Sequence, residues 1–395
     1  MFTRQSVAMF VDAYRELNAR KLFWITLGLS GLVVAAFAAV GLNDRGVTFL
    51  WWTIDSPLNA RVLKPELFYK FVFATMAIPF WLAWGATILG LVSTAGMIPE
   101  FVQGGSIELA VSKPIGRARL ILTKYLAGLT FAGLQVAVFS AASFLVIGIR
   151  GHSWEPAIFL AIPILLLFFS YLYSVCALLG LLTRSTVAAL LLTILFWVLI
   201  GGVNMTEQSL LMFREGSILR GQQIEARIES LKAQEAKQRE LVDQTKQPEG
   251  EASGETPTDL RAAGAMLAMQ KTSADLKRRE EQLVNNRSTV KSLDRWHGIF
   301  FGVKTVLPKT SETIKLLDRS LLSREDMERF RNAGDDEPMP TVGEEDDIRV
   351  SQKTMAKRLE TRLRSRTLGW IVGTSLAFEG VMLLLMLWVF RRREF

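Results

Sequence analysis

The chain of 395 residues has one cysteine and two histidines. A lone Cys176 cannot close an internal disulfide, and with only His152 and His297 beside it the chain has too few thiolate and imidazole ligands for a metal cluster. No G-x-x-x-x-G-K-[ST] occurs, nor any Gly-Lys pair, so the chain cannot hold a nucleotide by a P-loop. There is no His-Glu-x-x-His and no Gly-x-Ser-x-Gly, which removes the usual signs of a zinc hydrolase or a serine hydrolase. Charge is also scarce outside one region. Between Asn204 and Leu368 stand 29 Lys+Arg and 28 Asp+Glu, leaving 17 and 10 for all the rest.

That remainder is strongly apolar. Half of the whole chain is hydrophobic, with 24 Phe and 10 Trp, and the mean hydropathy is +0.26 even with the polar insertion included. A helix needs about 20 apolar residues to cross about 30 Å of hydrocarbon. Six segments qualify: 22–42, 71–97, 125–149, 157–183, 187–203 and 369–390. Gly46 to Ile54, with Trp51 and Trp52, is too short to span and reads as an interfacial aromatic anchor. The expectation is an all-α membrane protein of six spans, with residues 204–368 inserted between the fifth and the sixth.

Lys and Arg in short loops set orientation. With the N-terminus inside, the cytoplasmic pieces carry twelve and the short outer loops five. Both termini are therefore expected in the cytoplasm, the insertion outside it, and the chain in a bacterial inner membrane. Residues 1–21 place Val7, Phe10, Tyr14 and Leu17 on one helical face, as an in-plane interfacial helix does. The following apolar run is longer than a signal core, so no cleavage is expected despite Ala36-Phe37-Ala38. The basic excess is an orientation signal and no evidence for nucleic acid binding.

Between spans two and three the chain reads Glu100-Phe101-Val102-Gln103-Gly104-Gly105-Ser106-Ile107-Glu108-Leu109-Ala110-Val111-Ser112-Lys113-Pro114-Ile115-Gly116-Arg117. An acidic residue and glycines precede a short amphipathic stretch, and a Lys-Pro-x-x-Arg turn leads back into the membrane. This pattern resembles the membrane (permease) subunit of type-2 ABC exporters, with Gly104-Gly105 standing where that family usually has one glycine. The resemblance implies that residues 98–113 form a coupling helix seated in a groove of a separate ABC ATPase, which would bind ATP and Mg²⁺, this chain holding no cofactor. It also implies a second copy or a homologous permease subunit. On this reading Glu100, Phe101, Gly104, Gly105, Glu108, Leu109, Lys113, Pro114 and Arg117 are the coupling residues. The apolar Phe101 and Leu109 would face the groove, and the charged members would sit at its edges.

The insertion holds two polar, helix-favouring arms, 207–246 and 256–295, separated by a breaker-rich segment. Thr256-Pro257-Thr258-Asp259 is a good helix start. Met269, Leu276, Leu283 and Val290 recur every seven residues, with Leu260 and Leu267 on a neighbouring row, and Ile224, Ile228, Leu231 and Val242 mark the first arm. An antiparallel helical hairpin follows, either docking on a dimer mate or an extracytoplasmic protein, or standing as a solvated spacer. Met355, Leu359 and Leu363 suggest an amphipathic helix on the outer headgroups.

Glu379 falls near the middle of span six, where a carboxylate costs several kcal/mol unless hydrated, paired or protonated. Three readings stand: a transport or gating group, a buried packing contact, or a span register off by one turn. Gln135 is a second candidate for lining a path, with Tyr171 and Tyr173 behind it. Taken together, the expected function is a non-catalytic permease subunit of an ATP-driven exporter. The alternative is a mechanotransmitter of the same build, acting on an envelope protein through the hairpin without moving a solute.

Overall fold

The computed structural model describes residues 21–55, 63–103, 116–246, 257–323 and 352–392, with isolated positions besides. They form two compact units. One is built from the described parts of Met1–Asn204, Val303–Glu337 and Arg366–Phe395, the other from those of Met205–Gly302 and Pro338–Ser365. Most of the expected N-terminal interfacial helix lies outside the described residues.

The first unit opens with α1 (Lys21–Ala39), 19 residues long. The helix expected to reach Leu42 stops at Ala39, because Val40–Asn43 is strand β1. Strands β2 (Gly46–Phe49) and β3 (Trp52–Asp55) complete an antiparallel meander in the order β1-β2-β3, paired Val40↔Phe49 and Phe49↔Trp52. Gly46 holds φ at 149°, which glycine adopts without a Cβ clash and which closes the two-residue turn at Asp44-Arg45. The segment expected to be a plain aromatic anchor thus supplies two of the three strands of a small sheet, with Trp51 and Trp52 exposed at its second turn.

A long helical stretch follows in pieces: α2 (Pro65–Val72), a π-helix over Phe73–Ala86, α3 (Thr87–Thr94) and α4 (Met97–Gln103). Pro79, which cannot donate to a helical ladder, lies inside the π segment. Then come α5 (Arg117–Arg150), a 3₁₀ turn over Pro156–Leu160 leading into α6 (Ala161–Thr183), and α7 (Thr186–Lys246). At the C-terminal side a π turn, Gly369–Gly373, leads into the last membrane helix, Thr374–Arg392. Among the described residues, five helical stretches are long and apolar enough to cross a membrane: Pro65–Val102, Arg117–Arg150, Pro156–Thr183, Thr186–Glu240 and Gly369–Arg392. The apolar part of α1, Phe23–Ala39, is shorter.

The second unit contains the polar part of α7 from Met205, α8 (Pro257–Val306) as far as Gly302, and α9 (Gln352–Arg364). Helix α7 does not break at Asn204; the apolar run and the polar arm are one helix of 61 residues. Within the unit the two long arms run antiparallel. Arg214 pairs with Asp294, Glu225 with Arg287 at 2.8 Å, and Lys232 with Glu280 at 3.2 Å, so partner numbers fall on one arm as they rise on the other. Such exposed pairs set register more than stability. The seam is apolar: Leu219, Ile224, Ile228, Leu231 and Val242 are buried, and Met269, Leu276, Leu283 and Val290 are all partly buried. Leu267, on the neighbouring row, is 62% exposed and stays out of the seam. Helix α9 differs from the expectation of a headgroup helix. Met355 lies against Gly216, where an added Cβ would stand 3.0 Å from its Cε, and Arg362 reaches Glu215 at 3.4 Å. An apolar stripe of this spacing can bury against protein as well as lipid, and Gly216 leaves it a slot.

Helix α10 (Thr310–Leu321) belongs to the first unit, although its sequence lies in the polar insertion. Leu317, Leu321 and Leu322 join the same core as α6. Around it the buried Glu312 accepts from Arg366 Nη1 at 2.7 Å and pairs with Lys304, itself buried. The buried Lys309 ammonium donates to the carbonyls of Thr305 at 2.5 Å and Leu307 at 2.8 Å, and lies over the Trp370 ring at 5.1 Å. Burial pushes its pKa down to about 8 from the usual 10.5; Glu312 opposes this and Lys304 adds to it. Between these values the unfolded chain holds a proton that the folded chain has released, so stability should rise with pH across that window. Thermal unfolding of the purified protein should shift upward from pH about 7 to about 10, and Lys309→Met should flatten that rise; a slope unchanged in the variant would contradict the assignment.

Candidate functional site

Glu379 sits on the last membrane helix and is 8% exposed. Its carboxyl group is met from two other helices. Tyr125 of α5 donates its hydroxyl to Oε1 at 2.8 Å, and Ser170 of α6 reaches Oε2 at 2.8 Å. Each hydroxyl also has a backbone acceptor within range, the Ser170 carbonyl for Tyr125 at 3.1 Å and the Leu167 carbonyl for Ser170 at 2.9 Å. The register is such that Glu379 faces protein. Of its three sequence readings, the geometry sets aside a register off by one turn and fits a buried packing contact.

The contacts continue from there. The Tyr125 ring stacks on Tyr173 with centroids 5.0 Å apart and planes 8° apart, and Tyr173 stacks in turn on Phe169 at 5.5 Å. The Tyr173 hydroxyl donates to Met97 Sδ at 3.6 Å. Met97 begins α4, which enters the loop that carries the expected coupling residues. Gly128 is what lets Tyr173 approach α5: a Cβ there would stand 2.5 Å from its hydroxyl oxygen. Gly180 does the same for α4, since a Cβ there would stand 2.9 Å from Pro99 Cγ. A continuous series of packed side chains therefore joins Glu379 to the first turn of α4, all within one compact unit.

Of the nine expected coupling residues, three are described. Glu100 is exposed on α4 and Arg117 opens α5. Phe101 corrects the expectation: at 7% exposed it turns into the core of its own unit, with the Lys124 ammonium 5.4 Å from its ring centroid. An apolar face does not reveal which neighbour it will meet, and α4 lies close enough to α6 to bury it. Gly104, Gly105, Glu108, Leu109, Lys113 and Pro114 lie outside the described residues. Gln135 is buried and borders a cavity of about 20 Å³ beside Ser30 and Thr87. That volume holds about one water molecule. Tyr125, Ser170 and Met97 belong to the network although nothing in the sequence marks them for it. Tyr125 is legible only as the start of a span, and its partner lies 254 residues away.

A family model described as ABC-2 family transporter protein matches residues 12–246, more than half of the chain. The chain belongs to that family. It is accordingly a multi-pass membrane protein of the permease kind, whose family associates with an ABC ATPase. No curated protein and no solved structure matches it.

Two outcomes follow from the geometry. Because Tyr125 and Ser170 each have a carbonyl to turn to, Glu379→Leu should cost under about 1 kcal/mol, whereas Tyr125→Phe with Ser170→Ala strands a buried acid and should cost about 1–3 kcal/mol or more. Adding Glu379→Leu to that pair should restore stability, which thermal unfolding in detergent would read. Gly128→Ala should destabilise by about 1–3 kcal/mol through the clash with Tyr173, checked the same way.

Proposed function

We propose that the chain is the membrane-spanning permease subunit of an ATP-driven exporter, assembled as two membrane halves with a separate ABC ATPase that supplies ATP and Mg²⁺. The observation that carries this reading is the contact series from Glu379 through Tyr125, Tyr173 and Met97 to α4, placed in a chain of the ABC-2 family. A loop that is pushed by the ATPase has, in α4, a lever packed against the inward carboxyl group of the last span. The nearby charged residues Glu100 and Arg117 suit the edges of an ATPase groove. Helix α1 serves as the first span and brings the total to six. Its 19 residues rise about 28 Å, close to the thickness of the hydrocarbon. Both termini then lie in the cytoplasm and the insertion lies outside.

A second reading has its own support. Helix α7 holds both the fifth apolar run and the first polar arm within its 61 residues, which supports a reading in which the membrane part acts on an extracytoplasmic partner. On that reading the subunit drives an envelope protein and carries no solute.

Topology can be tested directly, because the native Cys176 is buried in the core and its thiol is shielded from reagents. Ser230→Cys, on the exposed side of the first arm, should react with a membrane-impermeant maleimide in intact cells, and Thr183→Cys only after lysis; the reverse pattern overturns the orientation. Charge reversal at Glu100 and Arg117 should reduce co-purification of the ATPase while leaving the subunit folded. Deleting 220–287 should spare ATPase assembly and abolish activity outside the membrane. Loss of solute export in that deletion supports the exporter, and loss of envelope structure alone supports the transmitter.

A further inference from the structure

The contact series leaves Gln135 unused, and the surroundings of this side chain point to a ligand of its own. It stands in the middle of α5 and is 5% exposed. Its Nε2 is fully buried and has no hydrogen-bond partner among the described residues. A buried amide hydrogen without an acceptor is costly, the more so among helices that stand in hydrocarbon. The side chain borders a cavity of about 20 Å³, more than the roughly 10–15 Å³ that one water molecule needs.

Two other polar side chains line the cavity, Ser30 of α1 and Thr87 at the start of α3, and both are buried. Their hydrogen bonds leave capacity to spare. The Trp81 indole donates to Ser30 Oγ at 3.0 Å, so that oxygen keeps a lone pair and its own proton. The Thr87 hydroxyl donates to the Leu82 carbonyl at 2.8 Å, which commits its proton and leaves its lone pairs. Phe169 of α6 closes one wall, packed so near Gly90 that an added Cβ would stand 3.1 Å from its ring. Among the described residues none that lines the cavity is charged.

The position along the second span matters as well. Thr87 directly follows the π-helix, where the wider hydrogen-bonding pattern gives way to the ordinary one. In a membrane helix, backbone groups freed at such an interruption are met by hydroxyl side chains and ordered water. Thr87 already serves the Leu82 carbonyl in this way. We propose that the cavity binds one water molecule, which accepts a hydrogen bond from the Gln135 amide and donates to Thr87 Oγ1, with Ser30 as its third partner. An apolar guest would leave all three polar groups unmet. A monovalent cation would find no counter-charge in the lining. The water ties α1, the π junction and α5 to one another, and gives Gln135 a positioning role that holds for exporter and transmitter alike.

The test uses the full chain, labelled with heavy nitrogen and returned to phosphatidylcholine bilayers, and solid-state NMR that reads magnetisation passing from water protons to side-chain amides. The Gln135 signal is the one that disappears in Gln135→Leu. Wild type should show transfer from water to it. Ala132 lines the cavity from the same helix, so Ala132→Leu should fill it and abolish the transfer while the Gln135 signal stays in place. Ala86→Val is a gentler filling of the same place should the larger variant not fold. Thr87→Val removes an acceptor at nearly constant shape and should lose the transfer, whereas Thr87→Ser should retain it. Absence of transfer in wild type overturns the site. Transfer of equal strength in the filled variants also overturns it, since water then reaches the amide by another route. Transfer unchanged in Thr87→Val overturns the part given to that hydroxyl. A Gln135 signal that moves when sodium or potassium replaces choline in the buffer shows a cation in the cavity, which overturns the water.

Discussion

The membrane unit is organised around one constraint: a polar group placed among apolar helices has to find its partner inside the protein. Glu379 meets it with hydroxyls from two other spans, so that α5, α6 and the last helix converge on a single carboxyl group. An uncompensated carboxylate there would cost several kcal/mol. The geometry around it follows from that cost. Tyr125 can reach the acid only if its ring is held, and it is held by stacking on Tyr173. Tyr173 can lie that close only because position 128 is glycine. One buried acid thus fixes the identity of residues on three helices.

Much of this arrangement is legible in the amino-acid sequence, and the part that is not has a physical reason. Long apolar runs announce spans because the thickness of hydrocarbon is fixed, and the seven-residue spacing of Met269, Leu276, Leu283 and Val290 announces the face that is in fact partly buried against the other arm. Glu379 stands out because charge in a span is costly. Its partners do not, since Ser170 lies 209 residues away in sequence and a serine in an apolar run is common. Hydropathy also fails at the end of α1. Val40, Gly41 and Leu42 are as apolar as the helix before them, and only the pairing with β2 makes them strand. The π winding of Phe73–Ala86 has no signature beyond Pro79, which fits several kinds of helix interruption.

Phe101 shows how far an amphipathic pattern carries. The pattern correctly marks a residue that is buried, and it misassigns the surface that buries it. The ring meets its own unit and a lysine from α5, while its neighbour Glu100 on α4 is exposed. The start of α4 is held by Met97 under Tyr173 and by Pro99 against Gly180, both close contacts that glycines or a soft thioether make room for.

The same constraint explains why the charged residues near the last helix sit where they do. Glu312 brings Lys304 and Arg366 together, and Lys309 directs its ammonium hydrogens to two carbonyls at the end of α8 while its backbone N–H donates to Ser375 of the final helix at 2.9 Å. These links tie α10 and the start of the last span to one another at the point where the chain returns to the membrane. A segment that is polar by composition thereby becomes part of the apolar unit's core through Leu317 and Leu321. Glu379 lies one helical turn beyond Ser375, so whatever shifts this polar knot also shifts the acid. The two sets of buried polar contacts therefore constrain the same helix from two directions, α10 at its outset and α5 with α6 at its middle.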